Sequence, residues 1–123
     1  MDSFTETKSG GVILQGPKRK AYGISLYGLA ELSEQLGPDR WKAISDVAQV
    51  AANYLRCHPR VDEVRYPGLK DDHFFLAASH ILVGGFGPNV DAHLDDGHWY
   101  RVICAPCDPQ EFVLELEEWL QQQ

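Results

Sequence analysis

No stretch of this chain approaches the ~20 consecutive apolar residues that a membrane span needs. Positive charge is also short: 11 Lys and Arg stand against 18 Asp and Glu, for a net charge of −7. That balance supports solubility and argues against a surface for nucleic acid or anionic membrane. The three cysteines are few and odd in number, so a complete disulfide framework is not implied. The N-terminus, MDSFTETKSG, lacks the basic-then-apolar order of a secretion signal, and the cytoplasm is the expected compartment. There is no internal repeat and no low-complexity linker. With 123 residues, the chain has length for one core but not for a cofactor domain beside a substrate domain. What remains is an ordinary globular composition, 44% apolar and 24% charged.

Residues 1–10 are polar and read as a flexible, frayed terminus, and 11–123 as a single domain. The run from Gly11 to Leu14, ended by Gly16-Pro17, predicts a strand, and the basic Pro17 to Lys20 a solvated loop. From Ser25, Leu26, Leu29, Leu32 and Leu36 recur at helical spacing until Gly37-Pro38. A second helix starts near Asp39 with Trp41, Ile44, Ala48, Ala51 or Ala52, and Leu55 on one stripe, and ends at His58-Pro59. Val61 to Tyr66 reads as a strand, with Val64 and Tyr66 on one face and Arg65 on the other. Asp71 or Asp72 can cap a third helix running through Phe74, Phe75, Ala78 and Leu82.

Val90, Ala92 and Leu94 alternate with Asn89, Asp91 and His93, the pattern of a half-buried strand. Asp95-Asp96-Gly97 is a tight-turn signal into a second strand, His98 to Cys104. Asp108 can cap a last helix with Pro109 at its first position and Glu111 at the capping-box position. Phe112, Leu116 and Trp119, with Val113 and Leu120, give that helix a buried face. The expected fold is α+β in two layers, with helices packed on one face of a small antiparallel or mixed sheet.

The run His58-Pro59-Arg60-Val61-Asp62-Glu63-Val64-Arg65-Tyr66-Pro67-Gly68-Leu69, then a helical segment, then Gly84-Gly85-Phe86-Gly87, resembles the C-terminal small domain of the cysteine/methionine-metabolism (trans-sulfuration) family of pyridoxal-phosphate enzymes. Upstream, Tyr27-Gly28-Leu29-Ala30-Glu31-Leu32 is similar to the family's Arg-Gly-Leu-x-Thr-Leu helix, with Tyr27 in place of the Arg. In the next helix Ala43-Ile44 replaces an Arg-His pair and Val47 an Asn, while Ala48, Ala52 and Leu55 keep the family's small-then-apolar face. Downstream, Arg101-Val102 followed by Asp108-Pro109-Gln110-Glu111 resembles the family's closing strand and helix. The likeness covers roughly Tyr22 to Leu120. It has one large gap at Asp95-Asp96-Gly97, where the family carries an extended segment that contributes to the active site.

By that resemblance Arg101 is the residue that grips the α-carboxylate of an amino-acid substrate, a task suited to the planar fork of a guanidinium. Lys8 follows Thr7 as the family's Schiff-base lysine follows a Thr, although it lies in a polar terminus where a solvated lysine is the plain reading. Cys104-Ala105-Pro106-Cys107, between a strand and a helix, has thioredoxin-like spacing. It could also be half a zinc site, with His93 and His98 across the hairpin as further ligands; structural thiols are the default. His58 and His73 have no Ser or Asp partner at a recognisable spacing. Gly84 to Gly87 is not a phosphate loop, because neither a Lys-Ser/Thr nor the dinucleotide spacing follows. Trp41, Trp99 and Trp119 read as core or interface anchors.

The chain therefore reads as a stand-alone relic or repurposed small domain, non-catalytic by itself and without bound cofactor, acting as a binding or assembly module. Two alternatives stand beside it. One is a split pyridoxal-phosphate enzyme, in which a separate cofactor-domain chain is completed by Arg101. The other is a thiol or metal protein using Cys104 and Cys107. Separation from a large domain would uncover apolar surface at Trp99, Tyr100, Phe74 and Phe75, and a homodimer is the simplest way to cover it.

Overall fold

Small side chains decide where the longest helix lies. The structure, a computed structural model, describes residues 4–18 and 22–123. Residues 1–3 of the terminus and 19 and 20 of the basic loop thus lie outside the described residues. The elements run β1 (Phe4–Glu6), β2 (Val12–Gln15), α1 (Leu26–Leu36), α2 (Pro38–Arg56), β3 (Val61–Arg65), α3 (Phe75–Ile81), β4 (Asn89–Leu94), β5 (Trp99–Ile103) and α4 (Pro109–Gln121). The strands form one antiparallel sheet in the order β1-β2-β5-β4-β3. This is the expected α+β class, with the sheet antiparallel throughout the described residues. Among them, no helix is long and apolar enough to cross a membrane.

α2 and α4 lie side by side on one face of the sheet. Ala48, Ala51, Ala52 and Leu55 of α2 are fully buried against Val90, Ala92 and Leu94 of β4 and Phe112, Leu116 and Leu120 of α4. The alanines have no side chain beyond Cβ to hold the backbones apart, so the helix settles close on both neighbours. The buried face is wider than a single stripe, since both Ala51 and Ala52, with Val47 and Ser45, are inside. On the other flank of α2, Trp41 anchors a second cluster with Leu29 of α1 and Ala78 and Leu82 around α3.

The glycine run after α3 wraps this anchor. Trp41 donates from Nε1 to the Gly85 carbonyl at 3.1 Å, and Gly87 donates its N–H to Ser45 Oγ at 3.1 Å. Tyr66 closes the same loop by donating to the Gly87 carbonyl at 2.9 Å. Gly87 has φ 99°, and a Cβ on Gly85 would lie 2.3 Å from the Ser45 side chain. Glycine is demanded here by packing and backbone conformation, and the run bends the chain into β4.

The hairpin forms as expected. Gly97, at φ 88°, donates to the Leu94 carbonyl at 3.0 Å, and Leu94 donates to that of His98 at 3.1 Å. The result is a three-residue connection with glycine in the left-handed position. Asp108 caps α4 by accepting from Gln110 N at 2.9 Å.

Three local expectations need correction. Phe4–Glu6, in the terminus read as frayed, is an edge strand paired to β2, its exposed residues held by backbone hydrogen bonds that composition does not report. Asp72 does not occupy the cap position of α3, which is Phe74 and makes no side-chain cap. Its carboxylate accepts from Tyr66 N at 3.1 Å and Phe74 N at 3.0 Å and so ties the loop to β3. Trp99 and Tyr100 are 6% and 4% exposed, not open surface, because both faces of β5 are covered. Tyr100 packs edge-on to Trp119 at 5.0 Å, and Trp99 packs on His93 at 5.2 Å. The third-helix aromatics are more open: Phe74 is 37% exposed, whereas Phe75 stacks on Phe86 at 5.6 Å.

Gly85→Ala should lower unfolding stability by about 2–3 kcal/mol in urea titration, through overpacking against Ser45. A companion Ser45→Ala exchange should not return that loss, because the Ser45 Cβ it keeps is as near, 2.3 Å, as the Oγ it removes, and the Gly87 N–H loses its acceptor.

Candidate functional site

Alternation along β5 sends Tyr100 and Val102 toward the helices and Arg101 to the opposite face of the sheet. Pairing aligns Phe4, Leu14, Arg101, Asp91 and Arg65 in one cross-strand row. Arg101 grips Asp91 with a two-pronged fork, Nε to Oδ1 at 2.8 Å and the Nη2 nitrogen to Oδ2 at 2.9 Å. The same Nη2 donates to the Gly23 carbonyl at 3.1 Å, and the guanidinium lies 4.7 Å from the Tyr22 ring centroid. Next along the row, Arg65 donates from Nε to Asp72 at 3.0 Å. The charges thus alternate, Asp72, Arg65, Asp91, Arg101, across β3, β4 and β5.

Asp91 is 1% exposed. Burial pushes its carboxyl above the ordinary range, while the hydrogen bond and charge of Arg101, and the charge of Arg65, pull it back. Tyr22 is also pushed up, first by burial and then by the Asp91 charge. A buried carboxylate of this kind is held only where donors surround it, and the fork supplies them. Beside Arg101 opens a cavity of about 260 Å³ walled by Ile24, Leu29, Leu32, Pro67 and Asn89.

Asp91, Tyr22 and Asp72 were not singled out as site residues by the sequence. For Asp91 a signal existed. The turn sets Leu94 opposite His98, and counting back along both strands puts Asp91 opposite Arg101, a favourable opposite-charge pair. Alternation alone marks Asp91 as an outward polar position, and so hides it.

The structure does not bring Lys8 to this site. Lys8 sits between β1 and β2 and lines a cavity with Glu115, Glu118 and Trp119 of α4, on the helix side of the sheet, whereas Arg101 is on the other. A Schiff-base lysine and a carboxylate-gripping arginine must reach one cofactor-bound substrate, and these two are split across the sheet. The described residues therefore do not assemble a fit for pyridoxal phosphate around that pair.

The thiols are separated from the hairpin histidines as well. Cys104 and Cys107 follow β5 at one end, while His93 and His98 flank the turn at the other. His93 contacts Asp62 and the Gly97 carbonyl, both at 3.1 Å, and His98 contacts the Gly16 carbonyl at 3.0 Å. Burial drives the Cys104 thiol far above its usual range, and burial also raises that of Cys107 despite a hydrogen bond with Ser9. Activation at a helix N-terminus would lower these values; desolvation wins here. Among the described residues no group of three or more His, Cys, Asp or Glu is placed to hold a metal ion. His58 instead fastens α2 to α4, with Nε2 at 3.1 Å from Glu117 and Nδ1 accepting from Arg60 N at 3.1 Å.

No protein-family model matches the chain, and no curated protein matches it. Among solved structures it is similar to the cystathionine gamma synthase of Xanthomonas oryzae pv. oryzae, determined in complex with aminoacrylate and cysteine. The TM-score is 0.61 at 15% identity, and the match covers 68% of this chain and 34% of that one. The chain thus spans about a third of the length of that enzyme. At this identity the likeness shows the fold alone: a domain folded like part of that enzyme.

Asp91→Ala should destabilise the protein by about 3 kcal/mol, because it leaves the Arg101 guanidinium uncompensated in a mostly buried place. A double-mutant cycle with Arg101→Ala in urea should return a favourable coupling, the double variant costing less than the sum of its parts.

Proposed function

We propose that this chain is a repurposed small domain of the trans-sulfuration type, which does not catalyse alone and acts as a binding or assembly module. The observation that carries this reading is the state of Arg101. By resemblance that guanidinium would hold a substrate carboxylate, but here Asp91 fills both prongs of its fork. The position of Lys8 on the other side of the sheet adds to it. The likeness to a third of a larger enzyme keeps a second reading in view, in which a separate chain supplies the cofactor domain. That reading requires Asp91 to release Arg101 on assembly, a rearrangement the first does not need.

Assembly in the first reading is with a second copy. Tyr27 of α1, Leu76 of α3 and Val83 just beyond it are 78%, 72% and 85% exposed. α1 and α3 pack on each other, which makes this flank, in place of the hairpin, the apolar surface to cover. A two-fold pair is the commonest solution for such a surface.

Two measurements test these points. The purified chain mixed with pyridoxal phosphate should show no protein-bound Schiff-base absorbance; a yellow protein whose colour disappears in Lys8→Ala would refute the non-catalytic reading. Light scattering at micromolar concentration should give the mass of a dimer, shifted toward monomer by Leu76→Glu with Val83→Glu. A clean monomer from the unaltered chain would sink the assembly with itself.

A further inference from the structure

We infer that the free edge of β3 is a docking strand for an extended segment of another protein, with basic side chains on one face of that segment and apolar ones on the other. The inference deepens the functional reading above by giving the module a partner, and it rests on that reading for the view that the chain works by binding. Among the described residues β3 closes one side of the sheet and pairs with β4 alone. Its other edge leaves backbone N–H and C=O groups for an added strand to pair with. A cavity of about 350 Å³ lies against this edge, lined by every residue of Val61–Arg65 together with Arg56, Asp71 and Asp72. The wall facing the strand is pre-formed. Asp71 accepts from Arg56 at 2.7 Å, and Asp72 accepts from Arg65 at 3.0 Å and from Tyr66 N at 3.1 Å. A partner therefore meets a groove that it does not have to order.

Charge selects the partner. The Arg56–Asp71 and Arg65–Asp72 pairs cancel within the groove, which leaves Asp62 and Glu63, neighbours on the strand. The register shifts between Val61 and Glu63, so Asp62 is an extra residue on β3. Asp62 lies 3.1 Å from the His93 ring, and Glu63 forms no salt bridge among the described residues. Two adjacent carboxylates disfavour edge-to-edge pairing with a second copy, which would lay like charges side by side, and favour a cationic strand. The net charge of −7 acts in the same direction at longer range. Alternation then fixes the pattern of the segment. Glu63 and Arg65 are opposite His93 and Asp91, on the face away from the helices, whereas Val64 is opposite Ala92 and packs on the core with Val61. Both valines are half-buried, so apolar side chains on that face of an added strand complete their burial. The five residues of β3 span about 16 Å, which sets a segment of about the same number of residues.

The probe is an end-blocked synthetic peptide of alternating lysine and valine, titrated calorimetrically into the unaltered chain with no cofactor present. It should saturate below about 1 mM, bind more weakly as sodium chloride is added, and slow amide hydrogen exchange within Val61–Arg65. The same peptide with its backbone nitrogens methylated, which keeps the charge and removes the donors, should not bind, nor should one of alternating glutamate and valine. Glu63→Lys should weaken binding about fivefold or more at unchanged Tm, since it sets a like charge against the lysines. If that variant does not melt cooperatively, Glu63→Gln takes its place with a loss of about twofold expected. The inference is overturned by any of these results: no saturation by about 1 mM, equal binding of the methylated or acidic peptide, exchange slowed at β1 and not at β3, or affinity unchanged in the Glu63 variant. Failure of the peptide to bind would leave the non-catalytic reading intact. A chain that formed a Schiff base with pyridoxal phosphate would remove that reading and leave the peptide result standing.

Discussion

The small-residue face of α2 is the constraint on which the rest of the structure is built. One helix touches α1, α4, β3 and β4, and its contact positions are Val47, Ala48, Ala51, Ala52 and Leu55, all 0–1% exposed. A helix serving two layers must keep its backbone close to both, which excludes long side chains from the shared face. Trp41 then does the opposite work one turn from its start: it fills the wider space between α2, α1 and the glycine run with a single large ring system. Ser45 is the only buried polar side chain on this helix, and it is satisfied by the Gly87 N–H. The path of the glycine run, and so the entry into β4, follows from these two residues.

On the far face of the sheet the organising force is electrostatic. A cross-strand row of alternating charge is a poor way to gain stability, because desolvating each group offsets most of what pairing returns. Its effect is positional. Asp91 can be satisfied only by the strand register that puts it opposite Arg101, so the row penalises a slipped hairpin more sharply than apolar contacts would. Arg60 acts similarly at the sheet's end. It donates to Asp95 in the hairpin turn and to the carbonyls of Leu120 and Gln123 at 2.6 and 2.7 Å, which joins the turn to the end of α4.

The helices and the hairpin were legible because their signals are local. Leucines at helical spacing, Gly37-Pro38, the Asp108 cap with Pro109, and Asp95-Asp96-Gly97 each fix backbone conformation within a few residues. The α+β layering followed from their order. β1 escaped notice because its three residues, Phe4 included, are all exposed and leave no burial signature. The surroundings of Arg101 escaped for a different reason. Asp91 sits on the polar phase of its strand, and polarity by itself does not distinguish water from a guanidinium as its partner. Tyr22 reaches the site from a loop with no periodicity at all. Trp99 and Tyr100 were read as surface on the premise that separation from a large domain uncovers them, but Trp99 is closed over by its contact with His93 on the outer side and Tyr100 by Trp119 on the inner.

Fold and site thus part company at the hairpin turn. The domain is folded like part of a larger enzyme, yet a fold does not carry its chemistry with it. With Leu94 donating to the His98 carbonyl across a three-residue turn, residue pairing along β4 and β5 is fixed by counting, and Asp91 is the residue that falls opposite Arg101. A longer connection would leave that register free to be set elsewhere. The tight turn and the filled arginine fork are consequently one structural fact: the three-residue connection Asp95-Asp96-Gly97 sets which side chain the arginine meets, and in this chain that side chain is a carboxylate.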